Sequence, residues 1–230
     1  MDLLLITSGA GANDRTLDVA CGPGIVVCHF AAVVKSATGI DLTPAMIEQA
    51  KTLQDEKRLR NIDWRVGDVT RLPYEDQSFS VVTSRYAFHH FDCPARVLSE
   101  MVRVCEVGGK VVLMDVFASG NAEHARNFNR MERLRDPSHV RALSLAELGG
   151  LFETAGLRQP SLAFYKMKVR LDHLLKASFP NAGDAQEVER LVRDSVDNDN
   201  LGVQTRLERE QVVFSYPIAI LAAKRAPGSG

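Results

Sequence analysis

From Thr16 onward, short β-branched apolar runs alternate with longer stretches in which apolar positions recur every three or four residues. Residues 16–20 (TLDVA) predict a short buried strand, followed by the Gly22-Pro23-Gly24 turn and a mostly apolar helix over about 25–35. Residues 38–41 predict a second strand. Thr43 then caps a helix with Pro44 at its first position and Met46, Ile47, Ala50 and Leu53 along its apolar stripe. Residues 62–66 and 79–84 read as third and fourth strands, separated by a polar loop around 73–77. Pro94 opens a helix whose Val97, Met101, Val104 and Cys105 share one face. Gly108-Gly109 ends it, and 110–117 (KVVLMDVF) is a fifth, strongly β-branched strand. Strands alternating with helices predict a parallel sheet covered on both faces and joined by right-handed crossovers.

After Phe117 the rhythm changes. Residues 119–143 are polar and Arg-rich and too long for an ordinary connection, which predicts a functional insertion. Residues 144–155 are helical again, and 159–169 and 211–224 read as two longer strands around a charged, helical second insertion at 171–207. This final pair predicts an antiparallel strand added to the parallel sheet. The chain reads as one domain over 1–225, with a flexible tail at 226–230.

Composition narrows the class without naming a chemistry. The 230 residues are 45% apolar and 25% charged, which excludes disorder, collagen and coiled coil. Lys+Arg 28 against Asp+Glu 29 leaves a net charge of -1, with no basic excess for nucleic acid. No apolar run reaches the roughly 18–20 residues that a bilayer crossing needs. The first residues are apolar only from Leu3 to Ile6 with no preceding positive charge, so no secretory leader is expected. Cys21, Cys28, Cys93 and Cys105 form no zinc-ligand pattern and read as reduced thiols of a cytoplasmic protein, three of them in apolar segments.

The chemistry concentrates after the first strand. Leu17-Asp18-Val19-Ala20-Cys21-Gly22-Pro23-Gly24 runs from strand through a sharp turn to a helix. Glycines there let the backbone approach a ligand, and the helix start presents free N–H groups. Asp41 ends the second strand, where a carboxylate is placed to accept both hydroxyls of a ribose. Asp68 ends the third and is placed to accept from the exocyclic amine of adenine. A nicotinamide dinucleotide would use the same geometry, but Val27 stands where its last glycine should fall. Asp18 is also awkward beside a diphosphate and suits an ammonium or loop amides.

Together DVACGPG, the GID and GD that end the next two strands, LPYEDQSFSVVTSRYAFHHF and the later GG resemble class I S-adenosylmethionine-dependent methyltransferases. Within these the chain is most similar to the ubiquinone/menaquinone-biosynthesis-like group that modifies small molecules. The similarity is continuous from about Leu17 to Phe117 and less specific through RDPSHV, the helix at 144–155 and the last strand. It implies an α/β, Rossmann-like, seven-stranded mostly parallel sheet with helices on both faces and the last strand antiparallel. It implies S-adenosyl-L-methionine as cofactor and an O, N or C nucleophile of a small molecule as acceptor, such as a secondary metabolite or quinone-like compound. Neither metal, nucleic acid nor membrane is implied. Asp18, Ala20, Gly22 and Gly24 would surround the methionine part, and Asp41 the ribose, with Leu42 and Met46 also in the cofactor site. Asp68 and Val69 would lie at the adenine and Ser84 near the methionyl group. Two features depart from the group. Only about 15 residues precede the first strand, where relatives often carry a longer closing segment, and the tail motifs of true quinone-methylating enzymes are not evident.

Several residues stay open between chemistry and packing. His90, or its neighbour His89, is a candidate base for deprotonating the acceptor, against a ring that merely bonds the backbone. In the first insertion Arg126, Arg130 and Arg133 share a face that reads as solvated, while Phe128, Met131 and Leu134 form another that would lid the acceptor pocket. Arg135 or His139 would then meet a polar or anionic substrate group. Tyr86, Phe88 and Phe91 either cage the sulfonium or line the acceptor site, or pack the following helix. The alternatives are a differently acting member that keeps the cofactor site and an NAD-dependent oxidoreductase. A nucleic-acid methyltransferase is disfavoured, since Ser84-Arg85-Tyr86-Ala87 stands where an Asn/Asp-Pro-Pro-aromatic element would be expected.

Overall fold

A computed structural model describes residues 2–227; Met1 and most of the expected tail, 228–230, lie outside the described residues. The strands are β1 (Arg15–Val19), β2 (Ser36–Asp41), β3 (Ile62–Val66), β4 (Phe79–Arg85), β5 (Cys105–Val116), β6 (Ser161–Arg170), β7 (Arg206–Glu208) and β8 (Gln211–Lys224). They form one sheet in the order β3-β2-β1-β4-β5-β8-β6, with β7 paired to β8. β1 to β5 pair in parallel, and β8 runs antiparallel to both β5 and β6. The expected architecture holds, with the three-residue β7 as an eighth strand supplied by the second insertion.

Helices cover both faces because the parallel strands are apolar on both sides. α1 (Asp2–Ser8), α2 (Ile25–Ala31), α3 (Pro44–Lys57), α5 (Ala122–Arg135), α7 (Leu171–Lys176) and α8 (Asp184–Asp194) pack into one core with Val81, Val112 and Phe214. α4 (Pro94–Val104) and α6 (Leu145–Thr154) close the other over Leu17, Val82 and Leu113. Leu4 of α1 is buried, and Lys110 Nζ donates to the Thr7 carbonyl, so the short N-terminal segment docks on the sheet.

Three local expectations are corrected. α2 stops at Ala31 rather than near Lys35, because the chain must reverse into β2; the Asn61 side chain donates to the freed carbonyls of Ala31 and Val34 at 2.9 and 3.0 Å. Thr43 stands at the N-cap of α3 without a side-chain cap bond, its own N–H being taken by Asp41. Gly108-Gly109 does not end α4 but lies inside β5, where the register against β4 shifts. A Cβ on Gly109 would come within 2.6 Å of the Ser80 carbonyl, so glycine is there for strand contact.

Trp64, the single tryptophan, fixes how α2 and α3 sit on β2 and β3. Its Nε1 donates to Gln54 Oε1 at 2.6 Å, and its ring fills the space over Gly24 and Gly39. A Cβ on Gly39 would meet that ring at 2.5 Å and Cys21 Sγ at 2.9 Å. Gly39→Ala is therefore expected to cost about 1–3 kcal/mol by overpacking, with the lower midpoint read by Trp64 fluorescence in urea.

Candidate functional site

The carboxyl ends of β1, β2 and β3 bring together the residues that the motifs single out. β1 lies between β2 and β4, and the crossovers diverge on either side of it, which opens a crevice at its carboxyl end. The turn beyond β1 takes left-handed backbone at Ala20 (φ 56°), Gly22 (φ 51°) and Gly24 (φ 78°). At Ala20 this conformation is strained, a feature that concentrates at functional sites. Nothing stands within 4 Å of where a Gly22 Cβ would be, so the turn faces open space. Gly24 has a packing reason as well: its missing side chain makes room for Trp64 and Ala50 as α2 packs.

Asp41 holds this turn from the next strand. Its carboxylate accepts from the Gly22 N–H at 2.8 Å and the Thr43 N–H at 2.9 Å, leaving lone pairs outward. Leu42 (69% exposed) and Val66 (48% exposed) flank it as bare apolar surfaces, with Met46 half-buried one turn into α3. A carboxylate between exposed apolar side chains fits an adenosine, and Val66 is a member of this set that sequence reasoning passed over. Asp68 is exposed, its carboxylate turned to the Thr70 N–H at 2.8 Å. The Val69 side chain is buried in the core, which leaves only its main chain for a ligand.

Asp18 and Ser84 sit below this surface. Ser84 is buried and donates to the Val19 carbonyl at 2.9 Å, so its hydroxyl joins β4 to β1. Asp18 is buried and accepts from Thr83 Oγ1 at 2.7 Å. Burial pushes its carboxyl up to about 7, against the pull of Thr83 and Arg85.

A second space opens at the same end of the sheet, beyond β4. It has a volume of about 660 Å³, with apolar walls from Val116, Val169, Leu174 and Ile218 and polar groups from Tyr86, His89, Glu132, Arg135, Lys168 and Tyr216. Tyr86 follows β4 with φ 54°, under the Arg85 guanidinium at 4.1 Å from its ring, and its hydroxyl meets that of Tyr165 on β6. His89 Nδ1 lies 2.7 Å from Oδ1 of buried Asp115. Asp115 also accepts from the Val116 N–H, and as a carboxylate it accepts from His89 Nδ1–H, which leaves the His89 Nε2 lone pair free. The main chain clamps the same residue, since the Val140 and Arg141 N–H groups donate to its carbonyl. Burial pulls the His89 imidazole down, but Asp115 outweighs it by charge and hydrogen bond, and the pKa stands above the ordinary value.

The remaining expectations divide. His90 does not line the cavity; its Nδ1 contacts the Ser138 carbonyl and hydroxyl at 2.9 and 3.1 Å, and burial with the neighbouring His89 lowers its pKa. His139 is buried against Asn129 Oδ1 at 2.8 Å. That oxygen already accepts from the Ala142 N–H, so His139 Nε2 is the donor. Burial and the nearby His89 push His139 down to about 3; its ring lies 5.3 Å from that of His89, and it does not line the cavity. Phe88 and Met131 are core residues, because the short 3-10 turn Phe88–His90 and the inner face of α5 point them into the two cores. Arg126, Arg130 and Arg133 are exposed, as a solvated face should be. Arg135 and Tyr86 do line the cavity. Sequence reasoning missed Asp115 and Glu132; the legible signal was an acid inside the apolar run VVLMDVF, since a buried carboxylate there requires a partner.

Comparison with known proteins agrees with this architecture. The family described as Methyltransferase domain matches residues 17–113. The chain is 32% identical over 176 residues to the uncharacterized methyltransferase YcgJ of Bacillus subtilis, covering 76% of this chain and 70% of that one. It is 36% identical over 110 residues to the ubiquinone/menaquinone biosynthesis C-methyltransferase UbiE of Bdellovibrio bacteriovorus, covering 47% of this chain and 46% of that one. The crystal structure of YcgJ superposes with a TM-score of 0.90 at 26% identity, over 99% of this chain and 98% of that one.

The raised Asp18 carboxyl makes stability depend on pH. Folding binds its proton more tightly than the unfolded chain does, so stability is fullest below about 4 and declines as pH rises to about 7. Asp18→Asn is expected to remove this decline, worth on the order of 4 kcal/mol at most. Urea denaturation at pH 5 and pH 8 should show the variant gaining on the wild type at the higher pH.

Proposed function

Because the chain belongs to the class I S-adenosylmethionine-dependent methyltransferases, we propose that it methylates a small molecule held in the cavity beyond β4, with His89 as the base. The carrying observation is the His89–Asp115 pair in the wall of an apolar cavity that opens at the same sheet end as the Gly22 turn. S-adenosylmethionine supplies an electrophilic methyl on a sulfonium and leaves as a neutral thioether, so the chain's own work is binding, alignment and proton removal.

On this reading Asp41 accepts from the ribose hydroxyls while it braces Gly22, and Leu42, Met46 and Val66 cover the adenosine. Asp68 and the main chain of Val69 take the adenine edge. Ala20 and Gly22 admit the methionine part over the turn, and Asp18 supports it from below, ionising when a ligand ammonium arrives. His89 takes the acceptor's proton at Nε2. Asp115 keeps the tautomer and stabilises the imidazolium, with Glu132 adding to and Arg135 opposing that charge. Relatives named for ubiquinone and menaquinone biosynthesis favour a quinone-like acceptor among small molecules, although the match covers less than half of such proteins.

Two measurements test this. Asp41→Asn is expected to weaken S-adenosylmethionine binding in calorimetry by about tenfold, or ~1.4 kcal/mol, while NAD binds neither form. With an acceptor found by screening for S-adenosylhomocysteine release, His89→Asn is expected to lower kcat by about 10²–10⁴, the range of a lost general base. His90→Asn should fall far short of that loss. Equal losses in the two variants would move the base away from His89.

A further inference from the structure

The charges around the cavity say what kind of acceptor it takes, an inference that rests on the reading above. Of the described lining residues, Arg135, Lys168 and Arg170 are permanent cations, while the carboxylate among them is Glu132. The acids that pair with Lys168 and Arg170, Glu208 and Asp172, do not line the space.

Glu132 is closed to a ligand. One of its oxygens takes the Tyr216 hydroxyl, and the other takes Arg135 Nε and Nη2 at 2.9 and 2.8 Å. Asp136 lies 3.8 Å from the same Nη2. Arg135 Nη1 is bonded to no carboxylate, and it belongs to a cavity-lining guanidinium held rigid by the Glu132 fork and the Tyr216 contact. A guanidinium fixed in this way within an apolar wall suits an oxyanion, which it can engage by charge-assisted hydrogen bonds. Close by, His89 offers a base of imidazole strength. Such a base is best matched to a phenol or enol, with a pKa of about 10 for a phenol, whose conjugate base is already a good nucleophile.

We propose that the acceptor is a hydroxy-arene or enol that also carries a carboxylate, with its hydroxyl on His89 and its carboxylate on Arg135. The hydroxyl gives its proton to His89 Nε2, and its oxygen forms the new bond to the methyl carbon. The carbon–sulfur electron pair stays on the departing thioether, and the proton on His89 passes to solvent. The ring lies against Val116, Ile218 and the Tyr86 face, which are apolar and cost nothing to cover.

The test is a fluorescence titration of 6-hydroxy-2-naphthoate and 2-naphthol into the full chain saturated with S-adenosylhomocysteine. The hydroxynaphthoate is expected to bind at least about tenfold tighter than 2-naphthol, the lower end of a charge-assisted hydrogen bond. Arg135→Gln should abolish that preference and leave 2-naphthol unchanged. Since this variant strips Glu132 of its partner, the double variant Arg135→Gln/Glu132→Gln repeats the test without a stranded charge, and the comparison on the unaltered chain needs no variant. Equal binding of the two probes, or an Arg135→Gln loss shared by both, overturns the carboxylate. Failure of both probes to bind overturns the acceptor class. The methyltransfer reading itself is judged separately, by S-adenosylmethionine binding and the effect of His89→Asn.

Discussion

Everything functional hangs on the seam between β1 and β4. These neighbouring parallel strands send their crossovers to opposite sides, so the chain leaves a crevice at their carboxyl ends that no helix fills. Two buried hydroxyls hold the seam: Thr83 donates to Asp18 and Ser84 to the Val19 carbonyl. The strained Ala20 turn continues one strand and the strained Tyr86 continues the other. Strain of this kind persists only where the surroundings over-determine the backbone, and here the surroundings are that seam.

The two spaces are edged by buried acids more than by exposed ones. Asp18, Asp115 and Glu132 are all buried, and each is held by a named donor: Thr83, His89 and the Arg135–Tyr216 pair. Burying a carboxylate costs more than such bonds return unless each oxygen finds a partner, which is why each of these acids is tied to a donor from another segment. The exposed ion pairs along α8, such as Arg190 with Glu187 and Asp194, are the opposite case, because water already screens them.

The insertions explain why the crevice after β1 and the cavity beyond β4 differ in legibility. On the cofactor side each residue of interest lies within a few positions of a strand end, so Asp41 and the Gly22 turn could be read directly from the run of motifs. The cavity beyond β4 instead gathers Tyr86, Arg135, Lys168 and Tyr216 from segments 130 residues apart. Only packing joins them. The same holds for the two histidines: adjacent in sequence, they diverge because a 3-10 turn sends His89 to Asp115 and His90 to Ser138.

The alternation of strand and helix periods, the glycine turn and the acid after each early strand are local properties, set by backbone sterics and hydrophobic period, and they determined the sheet, its topology class and the cofactor crevice. Details governed by close approach were decided in three dimensions. Gly24 serves Trp64 packing, Gly108 and Gly109 lie inside β5, and Phe88 and Met131 turn into the cores. Which of several plausible side chains lines the cavity was likewise a tertiary decision. Burial of a polar group depends on partners supplied by distant segments, and a one-dimensional pattern does not carry those partners.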